Sequence, residues 1–362
     1  MHSHAAKRAE EEDKSEKQKN SVSVIPPLPN NSKHISEAIN QLQKFCAAID
    51  PNGRDALMKE IIQQILHAKY MNSLDHIKPN SNSSYISRYC TEFTEVETLS
   101  VKPSVKVVSA LHKIDQCLYA IKQYRRPVQS LDPESLMSEA QLIINLVHPN
   151  IIRYYTSWIE FSIANNHNTI EFGTKNKKPT PNIDFIFYIQ MELCQKENIL
   201  EHCRKVGISF SEKLSLACRV AEGLAYLHST GIVHNNLKPS SILIGVDGQP
   251  KITGFKKHKN VFRQHNCVYA PPELHKIDKK ADVYALGVIL FQLFGKFKSK
   301  EEEKEAIEKL RCQRTLHESF GVVPNEISQL ILVMTEITDD KRPPADKVVE
   351  TLSAVEQAEN NK

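Results

Sequence analysis

The sequence predicts an α+β fold with two lobes, the first rich in strands and the second rich in helices. From Arg88 onward, apolar and polar residues alternate, as in VKVVSAL and CLYAIKQY, which is typical of antiparallel strands. After Cys194, apolar residues recur with helical spacing instead. The predicted helices of this second part are 211–229, 282–294, 301–311 and 326–337. A chain of 362 residues has room for both lobes in one unit and for a further segment before them.

Five segments are expected along the chain: a disordered charged tail, a helical hairpin, a polar linker, the two-lobed unit and a short C-terminal tail. Their bounds are 1–33, 34–77, 78–87, 88–355 and 356–362. Within the two-lobed unit, the strand-rich lobe covers 88–192 and the helical lobe covers 193–355. A helix is predicted at 134–146 in the first lobe, and a polar insert at 165–183 separates its last two strands.

Composition and charge exclude several classes of protein. The 47 basic and 43 acidic residues leave a net charge of +4, which is too balanced for a dedicated nucleic-acid-binding protein. No apolar run approaches the roughly 20 residues of a membrane span, and the N-terminus lacks the apolar segment of a secretory signal. The eight cysteines are scattered without a CxxC pair, as expected for reduced thiols. We therefore expect a cytoplasmic protein that contacts neither nucleic acid nor membrane.

Glycine is scarce. The chain has 11 glycines, and none lies between Asp55 and Phe172, whereas average usage of about 7% would give roughly 25 in a chain of this length. Glycine allows a backbone to approach phosphate groups closely and to adopt positive φ. The shortage argues against a glycine-rich phosphate-binding loop in that stretch.

The segment IVHNNLKPSSILI at 232–244 resembles the catalytic loop of eukaryotic protein kinases, His-Arg-Asp-Leu-Lys-Pro-x-Asn. Other kinase landmarks occur in the expected order: YAIK and a helix before the loop, then YAPPE, ADVYALGVILF and KRPPA after it. The resemblance spans about 88–355 and implies a bilobal protein kinase-like fold. It further implies that His234, Phe255 and Asp282 join the two lobes.

Finer features narrow the resemblance. The motifs SRYCTEF, RYYTSWIE and YIQMELC resemble those of the kinases that phosphorylate the alpha subunit of translation initiation factor 2. The polar insert lies where that family carries a much longer insert. The helical N-terminal segment and FGKF…EEEKEAIEKLR are most similar to the haem-regulated member, and the nutrient-sensing member is the alternative.

The resemblance implies that the chemistry of phosphoryl transfer has been lost. Lys122 and Glu139 match the ion pair that holds the nucleotide phosphates, and Lys238 of the catalytic loop is also retained. In contrast, the positions of the catalytic aspartate, the metal-binding asparagine and the metal-binding aspartate are replaced. The residues there are Asn236, Ser241 and Gly254. An amide cannot accept a proton near neutral pH, and Mg²⁺ prefers carboxylate oxygens, so no intact metal site is expected.

The nucleotide cleft is incomplete on its other side as well. The three glycines of the kinase phosphate loop are replaced by Ser100, Lys102 and Val105. The adenine-contacting positions remain apolar, which suits either nucleotide binding or simple core packing. These positions are Val107, Ala120, Met191 and Leu243. No cofactor is required on this interpretation, and any binding of ATP is expected to be weak and independent of metal, or absent.

Activation by phosphorylation has lost its acceptor, because no serine or threonine lies between Gly254 and Ala270.

His34, His67 and His76 are candidate haem ligands, but no cysteine precedes a proline, so haem binding is not expected.

Arg88 and Glu92 match an arginine–acid pair that the initiation factor 2 kinases use in dimers formed through their N-lobes. The alternative is a solvated surface pair that contributes under about 1 kcal/mol. Likewise, the charged helix at 301–311 either binds the alpha subunit or is an ordinary solvated face. The leading hypothesis is a pseudokinase that regulates translation under stress by binding itself, a related kinase or the alpha subunit. The alternative is an active Ser/Thr kinase for that subunit with an atypical active site.

Overall fold

The computed structural model describes residues 87–127, 142–164, 182–255, 268–273, 278–321 and 323–361. The predicted tail at 1–33, the hairpin at 34–77 and nearly all of the linker lie outside the described residues. Most of the predicted helix at 134–146, including Glu139, also lies outside them.

The N-terminal lobe is a five-stranded antiparallel sheet preceded by one helical turn, α1 (Arg88–Glu92). Its strands are β1 (Phe93–Lys102), β2 (Val105–His112), β3 (Leu118–Pro127), β4 (Tyr154–Ala164) and β5 (Asn182–Glu192). Their order across the sheet is β1-β2-β3-β5-β4. The predicted strand-rich lobe is therefore confirmed, and the insert begins after Ala164 and ends before Asn182.

The sheet is buried on both faces at its centre. Because successive side chains of a strand point to opposite faces, Phe187 and Ile189 of β5 join the main core shared with the helical lobe, whereas Tyr188 points the other way. Tyr188 belongs to a smaller apolar cluster on the outer face. The buried members of that cluster are Tyr89, Phe93, Val108, Ala110, Ile121 and Tyr188. The segment of α1 thus covers the outer face of the sheet.

The C-terminal lobe is mainly helical. It begins with β6 (Cys194–Asn198) and contains a small second sheet with β7 (Ile242–Gly245) and β8 (Pro250–Ile252). Its helices are α2 (Ile199–Val206), α3 (Phe210–Ser229), α4 (Lys279–Phe294), α5 (Lys300–Gln313), α6 (Asn325–Met334) and α7 (Ala345–Asn360). Short 3₁₀ turns lie at Pro239–Ser241, Glu318–Phe320 and Asp339–Lys341.

Helix α4 is the central element of this lobe. Every residue from Ala281 to Phe294 is buried, as its nearly continuous apolar sequence predicts. Asp278 caps its N-terminus by accepting from the backbone N–H of Lys280. Gly287 allows α6 to approach closely, because a Cβ at this position would lie 2.8 Å from the Cβ of Met334.

The residues expected to form a C-terminal tail, 356–362, lie mostly within a helix. Helix α7 continues to Asn360, because Leu352 and Val355 keep one face of the helix buried up to its penultimate turn. The described residues contain no helix that is both long enough and apolar enough to cross a membrane.

Candidate active-site cleft

The catalytic-loop segment is anchored to helix α4 through Asp282. The buried Asp282 carboxylate accepts from the backbone N–H of His234 at 2.8 Å and from that of Asn235 at 2.9 Å, and the His228 ring lies 3.0 Å away. The His234 ring is fully buried and packs against Phe255, with 5.1 Å between ring centroids. The three residues expected to join the lobes are therefore brought together.

His234 is held as a neutral ring. Its Nδ1 accepts from the backbone N–H of Asn236 at 3.2 Å, so its proton lies on Nε2, which donates to the Thr253 carbonyl at 3.0 Å. Burial lowers the pKa of His234, because the charged ring would lose its hydration, although Asp282 opposes this shift. The ring links the loop to the segment after β8.

Asn236 is held in the loop by its backbone and is partly buried. Its side chain is an amide, which has no basic lone pair at neutral pH. A hydroxyl substrate placed at Asn236 would find a hydrogen-bonding group there and no general base.

Ser241 is occupied by contacts within the loop. Its hydroxyl lies 3.0 Å from the Asn236 carbonyl and 2.9 Å from the Lys238 carbonyl, and it accepts from the Lys238 backbone N–H at 3.0 Å. A hydroxyl has one proton to donate, which goes to these carbonyls, and the Lys238 N–H takes one of its two lone pairs. Ser241 is also 97% buried (3% exposed). It closes the loop on itself.

Gly254 faces Ser241 across the cleft floor. A Cβ at Gly254 would lie 3.5 Å from the Ser241 Cβ, which is an ordinary contact distance. The φ of Gly254 is +83°, in the left-handed region that glycine, asparagine and aspartate tolerate best. The two positions at which the resemblance implies metal ligands are thus neighbours, but they supply no carboxylate. These residues do not fit Mg²⁺, which needs hard oxygen ligands.

The residues that match the kinase phosphate loop, 100–105, form a tight hairpin. Lys102 pairs with Val105 and Ser100 with Val107, so the β1–β2 ladder continues to a two-residue turn. The turn is tied to β3, because Ser104 accepts from the Arg126 guanidinium at 2.9 Å. None of the described residues from 100 to 105 has a positive φ. This hairpin lacks the conformations that glycine gives a phosphate cradle.

The adenine side of the cleft keeps its apolar residues. Ala120 and Met191 are opposite each other in the β3–β5 ladder and are both buried. Val107 pairs with Lys122 between β2 and β3, and Leu243 on β7 is partly buried. The Lys122 ammonium lies 4.9 Å from the centre of the Tyr124 ring. Its predicted partner Glu139 is outside the described residues, so that ion pair stays a prediction.

An ion-pair network at the hinge, where β5 of the first lobe leads into the second lobe, was not expected from the sequence. Lys251 of β8 is buried, and its ammonium lies 3.0 Å from Glu192 at the end of β5 and 3.1 Å from Asp247. Burial opposes the charge of Lys251, but the two carboxylates outweigh this effect and raise its pKa. Glu192 also accepts from the backbone N–H of Arg153 at 3.2 Å. In the sequence, the only indication of this network was a lysine in the segment that forms the three-residue strand β8.

The YAPPE motif at 269–273 resembles the end of the kinase activation segment, and the helical lobe holds it in place. The Tyr269 hydroxyl donates to Gln292 of α4 at 2.8 Å, and the Gln292 amide donates to Glu303 of α5 at 2.7 Å. The buried Arg342 guanidinium pairs with Glu273, with Nη2 2.8 Å from Oε2. Gln292 of α4 and Arg342, which precedes α7, therefore hold this segment by polar contacts.

The candidate dimer residues contact each other within one chain. Arg88 Nε lies 2.9 Å from a Glu92 carboxylate oxygen, and both side chains are substantially exposed. The Arg88 guanidinium also lies over the Trp158 ring, 4.5 Å from its centre. A residue missed by the sequence analysis, Glu160, lies beneath this segment and accepts from the Tyr89 backbone N–H.

Comparisons with known proteins agree with this architecture. The family model of the protein kinase domain matches residues 103–352. An interferon-induced, double-stranded RNA-activated protein kinase of Mus musculus is 26% identical over 281 residues, covering 74% of this chain and 52% of that protein. The eIF-2-alpha kinase GCN2 of Arabidopsis thaliana is 25% identical over 323 residues, covering 76% and 26%.

A Wee1-like protein kinase of Oryza sativa subsp. japonica is 29% identical over 227 residues, covering 59% of this chain and 38% of that protein. The chain thus spans about half or less of the length of these curated relatives. The similarity extends beyond the kinases of initiation factor 2.

Proposed function

We propose that the chain is catalytically silent, although it belongs to the protein kinase domain family. On this proposal it regulates translation-initiation stress signalling in the cytoplasm by binding a kinase of the initiation factor 2 alpha family or its substrate. Its relationship to kinases that include an eIF-2-alpha kinase supports the choice of pathway. We place it nearest to the haem-regulated member on the motifs of its sequence, without a role for haem.

The observation that carries the proposal is the state of the cleft floor. The loop is anchored by Asp282 in an ordered arrangement, yet Asn236 supplies no base and Gly254 supplies no carboxylate. The Ser241 hydroxyl is used inside the loop. Loss of the general base alone removes roughly 10²–10⁴-fold of rate, and loss of the metal ligands adds to that. The residues that build the fold remain while those that do the chemistry are absent.

The binding surface that we favour is the one around Arg88 and Glu92. Both side chains are charged and substantially exposed on the outer face of the N-terminal lobe. A symmetric partner, either a second copy or a related kinase, could exchange the Arg88–Glu92 pair between chains. The charged helix α5 is a second candidate surface, for the alpha subunit. ATP, where it binds, is held by the apolar positions and Lys122 without metal.

A phosphotransfer assay on the alpha subunit tests catalytic silence. We expect no phosphate incorporation above that of the Lys122→Met variant. Incorporation that this substitution abolishes would support the alternative, an active kinase with an atypical site.

A second assay tests regulation, with an active kinase of the initiation factor 2 alpha family mixed with this protein. We expect the rate of alpha-subunit phosphorylation to change several-fold, and we expect Arg88→Glu to remove the effect. If the pair is exchanged between chains, reversing the corresponding acid of the active kinase to arginine should restore the effect of Arg88→Glu. An unchanged rate at all protein ratios would contradict the regulatory proposal.

A further inference from the structure

We propose that Glu160 is the positioning residue that docks the segment 87–92 on the outer face of the N-terminal sheet. The segment carries Arg88 and Glu92, so the inference rests on the proposed function where it treats their surface as the dimer interface. The docking role itself stands on the geometry below.

Glu160 is a buried carboxylate in the outer cluster. It lies on β4, is 5% exposed, and accepts three hydrogen bonds. The donors are the Ser87 hydroxyl at 2.6 Å, the Tyr89 backbone N–H at 2.8 Å and the Trp158 indole N–H at 2.9 Å. A buried carboxylate is strongly unfavourable unless it is hydrogen-bonded. Two of these three donors belong to the docked segment.

The segment cannot hold this shape alone. Helix α1 has only five residues, and isolated helices shorter than about 12 residues are marginal in water. Further contacts come from the sheet and from the turn between β2 and β3. Lys113 donates its ammonium to the Cys90 carbonyl at 2.6 Å and its backbone N–H to the Glu92 carbonyl at 2.7 Å. The Tyr89 ring stacks on Tyr188 with 4.9 Å between centroids.

Docking and the hydrogen bonding of Glu160 are therefore coupled. If the segment leaves the sheet, Glu160 loses the donors from Ser87 and Tyr89 and must be hydrated. If Glu160 is removed, the Tyr89 backbone N–H loses its acceptor at a buried residue. The segment is thus held as a unit that is either docked or released, and Glu160 determines which state is favoured.

The same carboxylate fixes the surroundings of Arg88. Trp158 donates to Glu160 and stacks almost parallel to Tyr188, with a 7° angle between the rings. Arg88 then lies over the Trp158 ring, 4.5 Å from its centre, and reaches Glu92. Glu160 does not contact a partner on this account. It acts through Tyr89 and Trp158, which set the direction of the Arg88 side chain.

Trp158 is the single tryptophan of the chain, so its fluorescence reports on docking without labelling. In the full-length protein, we expect Glu160→Ala to shift the emission to longer wavelength and to speed amide hydrogen exchange at 89–92 by at least tenfold. We expect Glu160→Gln, which keeps the side-chain shape and one acceptor oxygen, to give intermediate values. Self-association measured by sedimentation should weaken in the same order.

The matched control is Glu92→Arg, since the described contacts of the Glu92 side chain are with Arg88. It should weaken self-association while amide exchange at 89–92 remains as in the wild type. Wild-type emission and exchange in both Glu160 variants would overturn the inference. If Glu160→Ala does not fold, Glu160→Gln alone decides the question.

A failure of the proposed dimer would give a different set of results from a failure of the docking role. In that case all variants, including the wild type, sediment as monomers, while the Glu160 variants still release the segment. The docking role of Glu160 is then upheld and the dimer proposal is rejected.

Discussion

The carboxylate of Asp282 accepts the backbone N–H of His234 at 2.8 Å, joining the catalytic-loop segment to a helix that is buried along nearly its whole length. The same carboxylate accepts from Asn235 and contacts His228. The anchor therefore depends on backbone groups, which every sequence provides, and tolerates replacement of the side chains that perform chemistry. Asp282 can therefore hold this loop in place whichever side chain follows at Asn236.

Replacing Asp282 with alanine should destabilise the fold strongly. Two buried backbone N–H groups would lose a charged acceptor, and hydrogen bonds to charged groups contribute about 1.5–3 kcal/mol each. We expect the free energy of unfolding to fall by about 3–5 kcal/mol, measured by chemical denaturation. The control is Asp278→Ala on the same helix, which removes an N-cap and should cost about 1 kcal/mol. Equal losses in the two variants would contradict the anchoring role.

The hinge network predicts a second difference in stability. Lys251→Met leaves the Glu192 and Asp247 carboxylates without their shared cation. We expect a loss of about 2 kcal/mol, because Glu192 is partly buried and Asp247 is exposed. Adding Glu192→Gln should recover part of the loss. Lys196→Met breaks the exposed pair with Glu97 and should cost under about 1 kcal/mol. Thermal unfolding distinguishes these cases, and a larger loss for Lys196→Met would be inconsistent with the hinge network.

The cysteines divide into reactive and protected thiols. Burial raises the pKa of Cys194 and Cys218 to about 12 and that of Cys203 to about 11, whereas Cys90, Cys117 and Cys312 are exposed. The thiolate is the reactive form, so the buried thiols should be inert at pH 8.

Thiol titration checks this in a variant with Cys46 and Cys267 replaced by serine, since those two lie outside the described residues. We expect three thiols to react in the native protein and three more after unfolding. Six thiols reacting at one rate would show that the buried sites open readily.

Stability should fall in mildly acidic solution. Burial lowers the pKa of His234 and of His148 below the usual value of about 6.5, so the unfolded chain binds more protons than the folded chain just below that pH. This contribution is complete above about pH 6.5 and is lost as the pH falls through that value. The carboxyl groups with lowered pKa, among them Glu95 and Asp247, lose their contribution only nearer pH 4.

Denaturation at pH 7.5 and 5.5 measures this loss directly. We expect a smaller difference between the two pH values in His148→Gln, because that variant lacks one of the two groups. A free energy of unfolding that is flat across this interval would contradict the burial of neutral histidines.

Much of the fold could be predicted from sequence periodicity. The alternation after Arg88 and the helical spacing after Cys194 mark the two lobes, since both periods follow directly from which face of an element is buried. Helix α7 was not predicted, and Glu356, Ala358 and Glu359 at its end give no apolar signal. Residues of this kind can extend a helix at the surface without adding to the pattern of apolar residues from which helices are predicted.

The proximity of the cleft residues could be predicted where they are close in sequence. Asn236 and Ser241 lie in one ungapped motif, and Gly254 follows at a short distance, so their proximity in space is no surprise. Glu160 and Lys251 were missed for the opposite reason. Glu160 meets Ser87 across 73 positions, and polar residues in strands usually face solvent. Only three-dimensional packing reveals that these two charges are buried.

The most direct test of the proposed loss of the metal site, on which catalytic silence rests, is a thermal-shift measurement with ATP, with and without Mg²⁺. The wild type should show no Mg²⁺-dependent shift, because Asn236, Ser241 and Gly254 offer the metal no carboxylate. The variant Asn236→Asp/Ser241→Asn/Gly254→Asp should gain a shift of several degrees at saturating ligand, since binding stabilises the folded state. A Cβ at Gly254 has space, and the strain of its positive φ is smallest for asparagine and aspartate among residues with a side chain. A Mg²⁺-dependent shift of that size in the wild-type protein would contradict the account.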